Sequence, residues 1–172
     1  MKLFRRQIFL FHLLVVAAFG PLVVHGQDYH SQILSNETAQ ATRTLIHAKI
    51  FNFGGIGFAP AMTREEKAFR LLLKSEDSAA LFQRLLHEAN PEGQLYALYG
   101  LYLEEPVAFQ TEVERLKNDD GPAERWEGMI FIEKGQIRTA VGCVLFRKDR
   151  RALLEQMANG EFDQTFKTLS PF

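Results

Sequence analysis

Residues 95–103 read Leu-Tyr-Ala-Leu-Tyr-Gly-Leu-Tyr-Leu, and wound as a helix they leave no polar face. A helix that is apolar all round is stable only when it is buried. This stretch therefore predicts the centre of the fold, enclosed by its sequence neighbours. Gly100 within it costs about 1 kcal/mol of helix stability relative to alanine, and a close crossing by another helix is the expected compensation. Tyr96, Tyr99 and Tyr102 recur at i+3 and drift round the rod. That suits core aromatics with hydroxyls at the core's edge better than a ligand-stacking platform.

The flanking segments supply the enclosure. Asn36 can cap a helix over residues 36–50 with Leu45, Ile46 and Ile50 on one side, although residues 45–51 also suit a strand. Thr63-Arg64-Glu65-Glu66 has the form of a capping box, with the Thr63 hydroxyl on the N3 amide and Glu66 reaching back to the Thr63 amide. Its helix runs to about Leu73. Ser75-Glu76-Asp77 opens another, carrying Leu81, Phe82, Leu85, Leu86 and Ala89 at helical spacing until Asn90-Pro91-Glu92-Gly93 breaks it. Glu104-Glu105-Pro106 ends the central helix, and Pro106 suits the first position of the next, whose inner stripe is Phe109, Val113 and Leu116.

Beyond Asn118-Asp119-Asp120-Gly121-Pro122 the pattern changes. Met129-Ile130-Phe131-Ile132 and residues 137–146 are β-branched and aromatic, and they flank Glu133-Lys134-Gly135-Gln136. This predicts a hairpin turning at Lys134-Gly135. Asp149 can cap a last helix to Ala158, closed by Asn159-Gly160. The expected fold is α+β and mainly helical: antiparallel helix pairs, one C-terminal β-hairpin and a terminal helix.

The N-terminus has a different character. Lys2, Arg5 and Arg6 precede a nearly continuous apolar run from Ile8 to Val24, broken at Gly20-Pro21, and Val24-His25-Gly26 places short residues before Gln27. That is the order of parts in a secretory signal. The alternative is an uncleaved anchor, since about 17 apolar residues stand at the lower limit of a bilayer span. The expected organisation is a leader over 1–26, a loose polar segment over 27–35 and a single globular domain over 36–172. Cleavage takes three of 20 basic residues and leaves 17 against 21 acids, a net charge of −4 suited to solubility and not to nucleic acid. Cys143 is the sole cysteine, so no intramolecular disulfide forms. Exported eukaryotic domains more often use several, which points to a bacterial periplasm or exterior.

The stretch Glu92-Gly93-Gln94-Leu95-Tyr96-Ala97-Leu98-Tyr99-Gly100-Leu101, with the Pro106 helix after it, resembles one unit of a HEAT-type repeat over about 30 residues. As a whole the chain resembles small uncharacterised exported bacterial proteins that share the Phe-Gly-Gly-x-Gly-Phe loop, the Leu-Tyr-Ala-Leu helix and a late Gly-Cys strand. The resemblance implies a helical-pair fold and no activity.

Two segments are candidates for binding. The loop Phe53-Gly54-Gly55-Ile56-Gly57-Phe58 lacks the Lys-Ser/Thr pair and the immediate helix start of a phosphate cradle. Either its glycines let the chain lie close to the helices while Phe53 and Phe58 fill the core, or the aromatics form an exposed recognition loop. Arg147, Lys148, Arg150 and Arg151 gather cations at a helix start, where they oppose the macrodipole; a solvated face or an anion site would each account for them. Cys143, set among Val and Leu, suits burial better than a reactive thiol. His30, His47 and His87 have no metal spacing, and the pairs Glu104-Glu105 and Asp119-Asp120 suit solvated turns. No catalytic, metal or cofactor pattern reaches its required spacing. The expected function is a non-catalytic interaction module of the bacterial envelope or exterior, partnered by another envelope protein or an anionic ligand and touching a membrane only through an uncleaved leader. A hydrolytic enzyme whose residues converge in space and a membrane-anchored envelope component are the alternatives.

Overall fold

A computed structural model of the chain describes residues 24–54, 61–127, 129–141 and 144–168, with side-chain environments from Leu34 onwards. Most of the leader, residues 55–58 of the glycine-rich loop, and Cys143 lie outside these. From Thr38 onwards the described residues belong to one compact unit, distinct from Met1–Glu37. The elements are α1 (Val24–Ile46), α2 (Arg64–Leu73), α3 (Ser78–Glu88), α4 (Pro91–Glu104), α5 (Pro106–Lys117), β1 (Arg125–Glu127), β2 (Ile130–Ile132), β3 (Gln136–Val141), β4 (Val144–Asp149), α6 (Arg150–Ala158) and α7 (Glu161–Thr168). The fold is α+β and mainly helical. Among the described residues, no helix is long and apolar enough to cross a membrane.

α4 is the expected rod. Leu95, Tyr96, Ala97, Leu98, Tyr99, Gly100 and Leu101 are all buried, and within residues 95–103 only Tyr102 and Leu103 are half-exposed. Asn90 caps it by accepting from the Gly93 amide at 3.0 Å, and Pro91 occupies its first turn. The Asn90-Pro91-Glu92-Gly93 segment that breaks the preceding helix is thus also the start of this one. Around the rod lie Leu45 of α1, Phe69 and Leu72 of α2, Phe82 and Leu85 of α3, Phe109 and Val113 of α5, and Leu154 and Met157 of α6. The close crossing expected at Gly100 is made by α3, because a Cβ there would sit 2.4 Å from the Phe82 ring. A second close approach occurs at Gly93, where a Cβ would lie 2.0 Å from the Leu45 carbonyl oxygen.

Several boundaries differ from the sequence expectation. Residues 27–35, expected to be loose, are helical, and Asn36 lies inside α1. No Gly or Pro interrupts the chain from Gln27 to Phe53, so nothing stops the helix earlier. At Thr63 half the capping box forms: its hydroxyl accepts from the Glu66 amide at 3.1 Å, but the Glu66 carboxylate turns inward to the Gly54 amide and the Arg70 guanidinium. An additional helix, α7, follows Gly160, carrying Phe162 and Phe166 on one face and Glu161 and Asp163 in its first turn.

The strands also differ. Among the described residues there are two antiparallel hairpins instead of one, β1 with β2 and β3 with β4. Lys134-Gly135 joins β2 to β3, which do not pair. The Gly135 amide donates to Pro122 O and its carbonyl accepts from the Arg150 amide, both at 2.8 Å, so this corner is held by the loop after α5 and by the start of α6. The long run 137–146 is split, since Val141 pairs with Val144. On its other side β3 meets Phe51, whose amide donates to Arg138 O at 2.9 Å.

Candidate functional site

The glycine-rich loop enters the core from its N-terminal end. Phe53 is 9% exposed, and its ring centroid lies 4.7–6.1 Å from those of Phe51, Phe69, Tyr96, Tyr99, Phe162 and Phe166. At Phe53 the packing alternative is therefore the one realised. Gly54 donates its amide to Glu66 at 3.0 Å, while Gly55, Gly57 and Phe58 fall outside the described residues. Tyr96 closes the base of this loop, its hydroxyl donating to Asn52 O at 2.9 Å and accepting from the Asn52 amide at 3.2 Å. Burial holds the Tyr96 and Tyr99 phenols well above their ordinary range. Tyr99 and Tyr102 both donate to Asp163 at 3.1 Å, tying α7 to the rod.

The basic segment is not one site. Arg147 donates to Phe131 O, Lys148 to Gln156, and Arg150 to Leu116 O and Asp119, while Arg151 is exposed. Asp149 itself caps α6 by accepting from the Ala152 amide at 3.2 Å, which occupies a group an anion would need. Phe53, Gly54 and Lys148 do share the lining of one cleft, of about 380 Å³, yet the lysine is engaged there through Gln156, which in turn bonds Glu161 at 2.7 Å. His47 and His87 are exposed, and among the described residues no cluster suited to a metal ion exists.

Arg150 is 5% exposed and its charge is met by Asp119. Partial burial would raise the Asp119 carboxyl, but the hydrogen bonds from Arg150 and the Gly121 amide, together with the Arg150 charge, outweigh it and hold the carboxyl below its ordinary value. A carboxyl lowered in the folded state adds stability that is complete above its unfolded pKa, near 4, and is lost as pH falls through the folded value. Asp119→Asn should cost about 1–2 kcal/mol at pH 7, kept modest because the carboxylate is partly solvent-screened. The difference from wild type should shrink towards pH 3. Urea unfolding at both pH values measures it; an equal loss at both would mean that the carboxylate charge is not what holds Arg150.

The two hairpins carry a feature that the sequence reading missed. Apart from Leu34 and Val107, the exposed large apolar residues among those described all lie here: Trp126 (69%), Met129 (97%), Ile130, Val144 (63%), Leu145 and Phe146. Between the hairpins runs an open groove of about 650 Å³, lined by Met129, Ile130, Phe131, Leu145, Phe146, Gln136 and the arginines 138 and 147. Trp126 and Phe131 pair across β1 and β2 with ring centroids 5.1 Å apart. The hairpins are fixed from beneath by Glu92 in the first turn of α4, a fully buried carboxylate that accepts from the Arg125 guanidinium and, at 3.1 Å, from the Arg138 amide. Its only sequence signal was an acid at the start of an otherwise apolar helix. Arg147 reaches from β4 to Phe131 O at 2.6 Å and bridges the two hairpins. No family model, no curated protein and no solved structure matches this chain.

Proposed function

We propose that this chain is a non-catalytic binding module of the bacterial envelope or exterior, and that it recognises a partner protein through the paired hairpins. The observation that carries the reading is the gathering of Trp126, Met129, Ile130, Val144, Leu145 and Phe146, all solvent-exposed, on one pair of small sheets. A folded domain rarely leaves a contiguous apolar patch uncovered, and such patches rimmed by polar groups mark places where another molecule sits. Trp and Met are enriched in interface cores, with arginine alongside them. The helical body supplies a rigid base, since Glu92 anchors both hairpins to the buried rod.

Trp126→Ser combined with Met129→Ser tests this directly. Both side chains are largely in solvent, so the fold should lose no more than about 1 kcal/mol. Macromolecules captured by the wild-type chain from its own cell envelope should fail to co-elute with the double variant. An identical set recovered by both proteins, or none recovered by wild type, would sink the reading.

A further inference from the structure

Among the described residues β4 is paired on one side only. Its sole strand partner there is β3, with six consecutive pairs from Gln136↔Asp149 to Val141↔Val144 and no bulge. Its residues 144–147 are all exposed, and no proline interrupts it. An unprotected edge of this kind presents a row of backbone donors and acceptors that another extended chain can complete. Side chains then set which chain is accepted. Along β4 these are Val144, Leu145 and Phe146, followed by the cations Arg147 and Lys148. Arg147 donates to a backbone carbonyl and makes no ion pair among the described residues, so its charge is met by no carboxylate there. Like charges directly opposite one another destabilise a pair of strands, whereas opposite charges stabilise it.

Resting on the binding-module reading above, we infer that the occupant of this surface is an extended segment of a partner protein that adds to β4 as an antiparallel strand, with two carboxylates followed by three apolar residues. Antiparallel addition is the more stable pairing, and it sets the partner's carboxylates beside Lys148 and Arg147 and its apolar residues beside Phe146, Leu145 and Val144. A second copy of this chain fits less well, because antiparallel β4–β4 pairing over the full strand sets Arg147 opposite Phe146 and Lys148 opposite Leu145, which leaves both cations without a facing carboxylate.

The probe is the peptide fluoresceinyl-Gly-Glu-Glu-Val-Ile-Val-Gly-amide, with the dye on its N-terminal amine, titrated into the full chain by anisotropy with amide hydrogen exchange followed over β4. Binding should slow exchange at residues 144–148. Arg147→Glu should weaken it by about tenfold or more, and the variant should gain affinity for the same peptide with Lys-Lys in place of Glu-Glu. N-methylation of alternate peptide amides should abolish binding at unchanged charge. Equal binding of the N-methylated peptide would exclude strand addition. Indifference to the Arg147→Glu and Lys-Lys exchange would exclude carboxylate selection. Binding of phosphatidylglycerol vesicles without peptide binding would give the surface to a membrane and overturn the inference. If no probe binds while Trp126 and Met129 still govern capture of a partner, the strand-addition inference fails alone; if capture fails too, both fall.

Discussion

Phe53→Ala should cost this protein about 3–5 kcal/mol of stability. The ring is 9% exposed and meets six aromatic rings drawn from the segment ahead of α2, from α2 and α4, and from α7. Its removal opens a void that no single element can collapse into, because the backbone on each side is held independently. Tyr96 grips both polar groups of the Asn52 backbone, and Glu66 grips the Gly54 amide. Chemical denaturation gives the size of the loss. Near-ultraviolet circular dichroism should fall with it, since Tyr96 and Tyr99 lose a packing partner. A loss below about 1 kcal/mol would mean the loop is peripheral to the core.

Gly93→Ala should cost about 3 kcal/mol or more, against an ordinary expectation of gain. Alanine in place of glycine favours helix by at most about 1 kcal/mol. Here the added methyl would stand 2.0 Å from the Leu45 carbonyl oxygen and 2.8 Å from the Ala89 Cβ. Backbone on the far side cannot rotate away as a side chain could, so α1 and α4 must separate, and overpacking of that kind outweighs the helix gain. Gly100→Ala is the informative comparison. There the obstruction is the Phe82 ring, which can tilt, and the loss should be smaller. Thermal unfolding of the two variants side by side decides it; equal midpoints for Gly93→Ala and wild type would show that α1 does not hold its place against α4.

The burial of α4 could be read from the chain because its signal is local: nine residues with no polar side. The cap at Asp149, the Thr63 hydroxyl and the crossing at Gly100 were available for the same reason, each being a short pattern with one physical meaning. What escaped depends on partners far along the sequence. Arg150 stands in a run of cations that suits a solvated face, but Asp119, 31 residues earlier, draws it inward. Glu66 belongs to a helix start by pattern and to the Gly54 amide by geometry. β1 is three residues long, too short for alternation to register. The hairpin surface was hidden for another reason. Apolar β-formers look alike whether a sheet face is covered or bare, and only the placement of the second hairpin showed that nothing in the described chain covers Val144 and Leu145.

The fastening of α7 bears on how the chain comes to be folded at all. Phe162 and Phe166 close the aromatic cluster, Asp163 holds two tyrosines of the rod, and Arg70 donates to Phe166 O at 3.0 Å with its guanidinium over that ring. These groups leave a ribosome after Phe53 and the rod have emerged, at about 5–20 residues per second. Over that interval Phe53 and Tyr99 lack one wall, so a nascent chain presents an unfinished core until residue 166 emerges. A holdase, or a pore that accepts only unfolded polypeptide, therefore has a window of seconds in which to engage it, set by chain order and not by intrinsic instability.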